Sequence, residues 1–372
     1  MFCIVFTMRE IFTADPADLL AWYDRHHREL PWRVSPKARA GGKVADPYHI
    51  WMSEVMLQQT TVQAVKAYFE KFLDLWPTVT DLAHADTEDV MKAWAGLGYY
   101  ARARNLKKCA ESVVAMHGGV FPRTVEGLQS LPGIGDYTSA AIAAIAFDIR
   151  ALVMDGNVER VVSRLFAVSE ALPGAKPILK AHLETLTPAE RPGDFAQAMM
   201  DLGATICTPR RPACSLCPWR DNCLALATDD PEKFPVKAAK KDKPVRQGAA
   251  FVAIDDQDRV LLRKRIDSGL LGGMTEVPTT GWNSNRDGAT GTDAAPFQAD
   301  WRPCGAITHV FTHFELRLTV YRADVSSIET DNGWWEPVTN LDGEALPTVM
   351  KKAITAAIPN AFAKLARKIH AR

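Results

Sequence analysis

Four of the seven cysteines lie between positions 207 and 223, in CTPRRPACSLCPWRDNC. Their spacing is C-x6-C-x2-C-x5-C, at Cys207, Cys214, Cys217 and Cys223. Zinc sites commonly join two close pairs of ligands. This stretch has one close pair with an outlying cysteine on each side, a loop suited to wrapping something larger than one ion. Four thiolates around a [4Fe–4S] cluster fit that pattern best; a zinc ion and disulfides are the alternatives. Arg210, Arg211 and Arg220 in the same stretch suit a structural cluster that holds a phosphate-contacting loop, not an electron carrier.

Two carboxylates stand in settings that could do further chemistry. Glu54 sits in WMSEVMLQQ among apolar neighbours. Burial there would raise its pKa and keep it a proton donor. The plain alternative is a solvent-facing glutamate in mid-helix. Asp155 precedes GNVERVVSRL, at the mouth of an expected helix, where the N-terminus favours an anion. Capping that helix could be its whole task or half of it. In LPGIGDYTSAA (131–141), Gly133 and Gly135 permit a tight turn, and the next helix start offers N–H groups to a phosphate. An ordinary helix–helix turn reads the same way.

The elements that must carry these residues fall into two groups. From about residue 15 to 226 the pattern is one helix after another. Asp15 and Pro16 open the first, Thr87 is expected to cap EDVMKAWAGL, and Gly118 and Gly119 stop the helix YYARARNLKKCAESVVAMH. Residues 229–247 are rich in Lys and Pro, lack apolar periodicity and read as a linker. AAFVAID, RVLLRKR and FELRLTVY then read as strands, and PTVMKKAITAAI returns to helix. The expected organisation is an all-α domain over 1–228, including the cysteine loop 207–223, the linker 229–247, and an α+β domain over 248–372.

Composition limits the partners. Lys plus Arg and Asp plus Glu are both 44, so the net charge is zero and a general polycation is excluded. Basic residues do bunch in YYARARNLKK, either as a solvated helix face or as a local phosphate contact. No apolar run approaches the roughly 20 residues of a membrane span. MFCIVFT is short for a signal peptide and lacks its basic lead, so a cytoplasmic protein is expected, with translation starting at Met1 or Met8. Disulfides are rare in that compartment.

The order of LPGIGDYTSAA, then VMDGNVERVVSRL, then the cysteine loop resembles the helix–hairpin–helix DNA glycosylase superfamily, which includes endonuclease III. LPWR (30–33), SEVMLQQTTV (53–62), GLGYYARARNL (96–106) and FAQAMMDLGATIC (195–207) narrow the resemblance to the MutY family of adenine DNA glycosylases. It implies a helical glycosylase domain with a [4Fe–4S] loop, followed by a Nudix-like domain. The implied substrate is adenine mispaired with 8-oxoguanine or G in double-stranded DNA, attacked by a monomer associated with the nucleoid. Two departures stand out. Residues 35–45 are inserted, expectedly as a surface loop, and the family's Phe-Ser-His reads Phe311, Thr312, His313 here. GLLGGMTEVPTTGW holds the lone carboxylate Glu276, too few acids for the magnesium site of a nucleotide hydrolase.

By resemblance, Glu54 is the general acid that protonates N7 of adenine. Asp155 stabilises or attacks the sugar cation, and Tyr137 and Asn157 hydrogen-bond the two carboxylates. Arg28, Trp32, Leu57, Val62 and Gln197 form the adenine pocket. Gln59, Thr60, Leu97 and Tyr99 face the opposite base, together with the Phe311, Thr312, His313 loop, and the Gly133 and Gly135 turn contacts the DNA. Leu57, Val62 and Leu97 could equally be plain core. Relatives that cut the DNA strand use a lysine where Tyr137 stands, and a phenol forms no imine. The rivals are an endonuclease III-like glycosylase and lyase, a DNA-binding iron–sulfur protein without catalysis, and a Nudix hydrolase.

Overall fold

The computed structural model describes residues 14–238, 242–266, 269–326 and 333–362. The choice between Met1 and Met8 lies outside them. The chain divides into two compact units: the described residues of Met1–Ala83 with Lys108–Lys240, and those of His84–Lys107 with Lys241–Arg372.

The helices in chain order are α1 (Pro16–His26), α2 (Pro36–Ala40), α3 (Pro47–Leu57), α4 (Val62–Leu75), α5 (Val79–His84), α6 (Thr87–Trp94) and α7 (Ala101–His117). They continue as α8 (Val125–Gln129), α9 (Asp136–Phe147), α10 (Gly156–Leu165), α11 (Lys176–Leu186), α12 (Pro192–Thr205), α13 (Leu224–Thr228) and α14 (Thr348–Ala357). Asp15, Asp46 and Asp155 each accept backbone N–H bonds at a helix start, which satisfies donors the helix cannot pair itself. Asp86, not Thr87, caps α6, because its carboxylate reaches Glu88 N and Thr87 already has helical geometry. That helix ends at Trp94, ahead of Gly98.

At the centre of the first unit is α9. Thr138 through Ala146 are all buried, and most are alanines, so neighbours approach its backbone closely. α3 and α12 pack against it, and α12 also packs against α1 and α10. Two glycines make the α12 contacts possible. A Cβ on Gly193 would lie 2.3 Å from Ala144 O, and one on Gly203 would lie 2.6 Å from Asn157 Cβ. Residues 35–45, expected as a surface loop, hold α2. Its Arg39 donates to Ile145 O at the end of α9, a 2.8 Å bond that docks the insertion.

The second unit contains β1 (Val245–Asp255), β2 (Arg259–Lys264), β3 (Thr275–Glu276), β4 (Arg302–Val310), β5 (Glu315–Val325) and β6 (Trp334–Pro337). The strand order is β3-β2-β1-β5-β4, with β6 on β2. β1 and β5 run parallel, and the other pairs are antiparallel. Leu316, Leu318 and Val320 alternate into the core, where α14 covers them with Val349, Met350, Ala353 and Ile354. Of the expected linker, Val236 accepts from Leu172 N, and β1 already begins at Val245. Glu276 is buried between Arg263 and Arg265, at 2.9 and 2.5 Å, so its charge is neutralised within the fold.

Candidate active site

Glu54 projects from the middle of α3, a helix buried from Ile50 to Met56. It is 6% exposed. Burial is the main reason its carboxyl is pushed up to about 7, and the nearby Asp155 adds to the shift. Tyr137, in the first turn of α9, donates its phenol O–H to Glu54 Oε2 at 2.6 Å, and this and the Arg33 charge oppose it. Burial and the neighbouring carboxylates hold the Tyr137 phenol well above its ordinary range, so it remains a donor.

Asp155 both caps α10 and faces the same cavity. Its Oδ1 accepts from the backbone N–H groups of Asn157 and Val158 at 2.9 and 2.8 Å. Its Oδ2 accepts from Asn157 Nδ2 at 2.8 Å. Three donors and the positive end of a helix solvate a negative carboxylate without water. Arg160, one turn along α10, extends this chain. It donates to Asn157 Oδ1 at 2.9 Å, to Gly203 O at 2.7 Å and to Cys207 O at 2.7 Å.

Glu54, Tyr137, Asp155 and Asn157 line one cavity of about 330 Å³ with Arg28, Trp32, Leu57, Gln59, Thr60, Val62 and Gln197. The volume lies at the lower end of small-molecule sites. Gln197 is buried on α12; its Nε2 donates to Gly193 O, and its Oε1 is buried with no hydrogen-bond partner among the described residues. An acceptor left that way in a cavity is suited to an amino group on a ligand. Gln59 has a left-handed backbone, φ 60°, and an exposed side chain, a strained conformation of the kind that concentrates at functional sites.

Sequence reasoning missed the cavity's second cation and the anion that fixes it. Asp201, fully buried on α12, accepts from Arg28 N and Nε at 2.9 and 2.6 Å. Both its oxygens also accept from Arg33 Nη1, at 2.9 and 2.8 Å. The pair is more than 160 residues apart, and LPWR and MMDLGA carry no mutual signal; only the rarity of an Asp inside an apolar helix pointed there.

Gly133 and Gly135 are outside the cavity, in the α8–α9 turn. Gly133 has φ 76°, which favours glycine, and the space before Gly135 at the N-cap of α9 is open. Leu97, Tyr99, Phe311, Thr312 and His313 belong to the second unit. Leu97 is buried, whereas Tyr99 is 47% exposed with φ 49°. Phe311 to Phe314 form the turn between β4 and β5, with Phe311 stacked on Phe314 at 4.7 Å. Thr312 and His313 are exposed on that turn, and Tyr99 Oη is 2.7 Å from Thr312 Oγ1. In the basic run, Arg104 donates to Gly272 O and Lys107 is buried, whereas Lys108 is exposed.

Cys207, Cys214, Cys217 and Cys223 line a small cavity with Ile206 and Leu226. All four are free thiols. Thiols spread around a cavity suit a polynuclear cluster. Arg164, 2% exposed, donates to Cys207 Sγ at 3.3 Å and to the carbonyls of Thr208, Pro209 and Phe234. A buried cation beside four sulfurs complements an anionic thiolate cluster.

Comparisons with known proteins identify the family. Residues 52–188 match the HhH-GPD superfamily base excision DNA repair protein family, and residues 249–356 match the NUDIX domain. Residues 207–223 match the iron–sulfur binding domain of endonuclease III, so this chain carries the loop of a [4Fe–4S] cluster. The adenine DNA glycosylase of Mus musculus is 36% identical over 91% of this chain and 77% of its own length. That of Homo sapiens is 35% identical over 95% and 74%. A solved thermostable thymine-DNA glycosylase superposes with TM-score 0.51 at 32% identity, covering 57% of this chain and 94% of its own. No helix among the described residues is long and apolar enough to cross a membrane. The chain belongs to the adenine DNA glycosylase family.

Proposed function

We propose that this protein removes adenine mispaired with 8-oxoguanine, or with G, from duplex DNA. It is a DNA glycosylase of base excision repair and acts as a monofunctional enzyme. The observation that carries the reading is the pair of carboxylates in one cavity, one held protonatable by burial and the other solvated by fixed donors. Glycosidic cleavage needs such a pair, because the departing base requires a proton and the sugar becomes cationic. Glu54 gives its proton to N7 of adenine as the bond from C1′ to N9 breaks and its electrons pass to the base. Asp155 stabilises the positive sugar, by charge or by a transient bond, until a water adds to C1′ and loses a proton. An abasic site remains.

The flipped adenine enters between Trp32, Leu57 and Val62, with Arg28 and the free Gln197 oxygen at its polar edge. Tyr137, bonded to Glu54, occupies the position of a lyase lysine, which speaks against strand cutting. Gln59, Thr60, Leu97 and Tyr99 meet the orphaned base, and the turn at Phe311, Thr312 and His313 reads the lesion's altered edge. Gly133 and Gly135 offer backbone N–H groups to a phosphate. Cys207, Cys214, Cys217 and Cys223 would hold the cluster, which ties their loop to α10 and supplies no step of the reaction. The protein works as a monomer in the cytoplasm, on nucleoid DNA.

The test is excision from duplexes with adenine opposite 8-oxoguanine, G, C or T, read with and without alkali. Breaks should appear only after alkali, and borohydride should trap little adduct. Glu54→Gln should bind mispaired duplex but excise at least about 100-fold more slowly. Excision by that variant at the unmodified rate removes Glu54 from the acid's role.

A further inference from the structure

Tyr99 presents a large exposed ring from a backbone conformation that residues other than glycine rarely adopt, φ 49°. Gly96 and Gly98, with φ 108° and 71°, shape the approach to it. Such a conformation persists only where its surroundings hold it. One side chain meets this segment at several points. The Arg102 guanidinium lies over the Tyr99 ring and over the Trp94 ring, its carbon 5.4 Å from each centroid. Arg102 Nη2 donates to Leu97 O at 3.2 Å and to Gly98 O at 3.3 Å. Trp94 Nε1 donates to the same Gly98 carbonyl at 3.1 Å, and Arg102 N to Tyr99 O at 2.8 Å.

We infer that Arg102 is the positioning residue of the Tyr99 wedge: its guanidinium lies over the tyrosine ring while its Nη2 donates to the Leu97 and Gly98 carbonyls. The inference rests on the reading of Tyr99 as the residue that enters the base stack. Only a planar guanidinium does both jobs, since its faces stack on rings while its edge N–H groups meet carbonyls. An ammonium offers a point charge with neither the plane nor the fork. Burial lowers Arg102 to about 10, which leaves it cationic at neutral pH. The phenol of Tyr99 has a further anchor in Thr312 Oγ1, so the wedge and the β4–β5 turn share a hydrogen bond. A wedge held at the ring, the backbone and the hydroxyl can resist the restoring force of a closing stack.

The experiment compares Arg102→Lys, Arg102→Gln and Tyr99→Ala with the unmodified full-length protein under single-turnover conditions. One duplex carries adenine opposite 8-oxoguanine with all neighbours paired. The other is identical except for unpaired bases on both sides of the lesion, where little stacking must be broken. Both Arg102 variants should lose about tenfold or more on the paired duplex. On the loosened duplex they should stay within about twofold of the unmodified protein, which also shows that they fold and retain the active site. A 2-aminopurine beside the adenine should report weaker opening in the same variants. Recovery of full activity with lysine would make Arg102 a phosphate-directed charge and overturn the inference. Equal losses on both duplexes would overturn it as well, since a wedge support cannot matter where nothing is wedged. Tyr99→Ala separates the two levels. If it excises normally from the paired duplex, the wedge reading falls and the inference with it. If it fails there while the Arg102 variants do not, only the inference falls.

Discussion

A glutamic acid that donates a proton near neutral pH must be kept from ionising, and Glu54 is kept so chiefly by burial. The alkaline limb of excision should therefore fall near pH 7, well above an ordinary carboxyl. Tyr137 stabilises the Glu54 anion by its hydrogen bond. Tyr137→Phe should thus move that limb to higher pH while slowing the plateau rate, and a pH–rate profile of the two proteins checks both. The same shift has a stability side. Between pH 4.5 and about 7 folded Glu54 keeps a proton that the unfolded chain releases. Its contribution is fully present below pH 4.5 and is lost as the pH rises through 7. Glu54→Gln should therefore gain stability at pH 8, on the order of 3 kcal/mol, and little at pH 4. Urea unfolding at the two pH values measures this. The apolar neighbours of Glu54 pointed to burial but left a solvent-facing side chain open without the family motif, and the capping role of Asp155 was legible from its position. Arg33 and Asp201 were not legible, because their pairing exists only after α12 folds against the loop before α2.

At the level of elements, the site depends on how near α12 comes to its neighbours. Gly203 touches the start of α10, where Asn157 and Asp155 are held. Gly203→Ala puts a methyl 2.6 Å from Asn157 Cβ and 3.0 Å from its carbonyl oxygen, both fixed by the helix start. The overlap should cost about 1–3 kcal/mol of stability and, by displacing Asp155, slow excision more than it weakens DNA binding. Thermal unfolding and single-turnover rates would measure the two effects; an unchanged rate would mean that α12 yields and α10 does not. Period, caps and glycine stops made α1, α6, α7, α9, α10 and α14 readable. The helix in residues 35–45 was not, since it is short and held by Arg39 reaching Ile145 O and pairing with Asp194. β4 also escaped notice. As an edge strand its burial barely alternates, so period-two patterning had little to display.

For the whole molecule, composition marks a boundary near the Lys-rich stretch, and contacts add something composition cannot. Residues His84–Lys107 fold with the sheet-bearing unit although most of the helices around them in sequence do not. Lys92 approaches Glu344 at 3.8 Å, Arg104 donates to Gly272 O, and Tyr99 meets Thr312. The segment proposed to carry the wedge and the turn proposed to read the lesion thus belong to one compact unit, joined by contacts between residues more than 160 positions apart. A chain ended after residue 240 should keep the cavity with Glu54 and Asp155 but removes Glu344, Gly272 and Thr312 from the contacts of His84–Lys107. It should still excise adenine opposite G, at a reduced rate because the wedge is less well held, and should lose most of its preference for 8-oxoguanine. The amides of residues 84–107 should exchange faster in the shortened chain, while those of α9 and α12 should not. Hydrogen exchange and single-turnover rates on the two duplexes would be measured on both chains. An unchanged preference ratio with faster exchange would mean that the helical unit alone reads the opposite base, and an unchanged exchange pattern would mean that the wedge segment needs no support from the sheet.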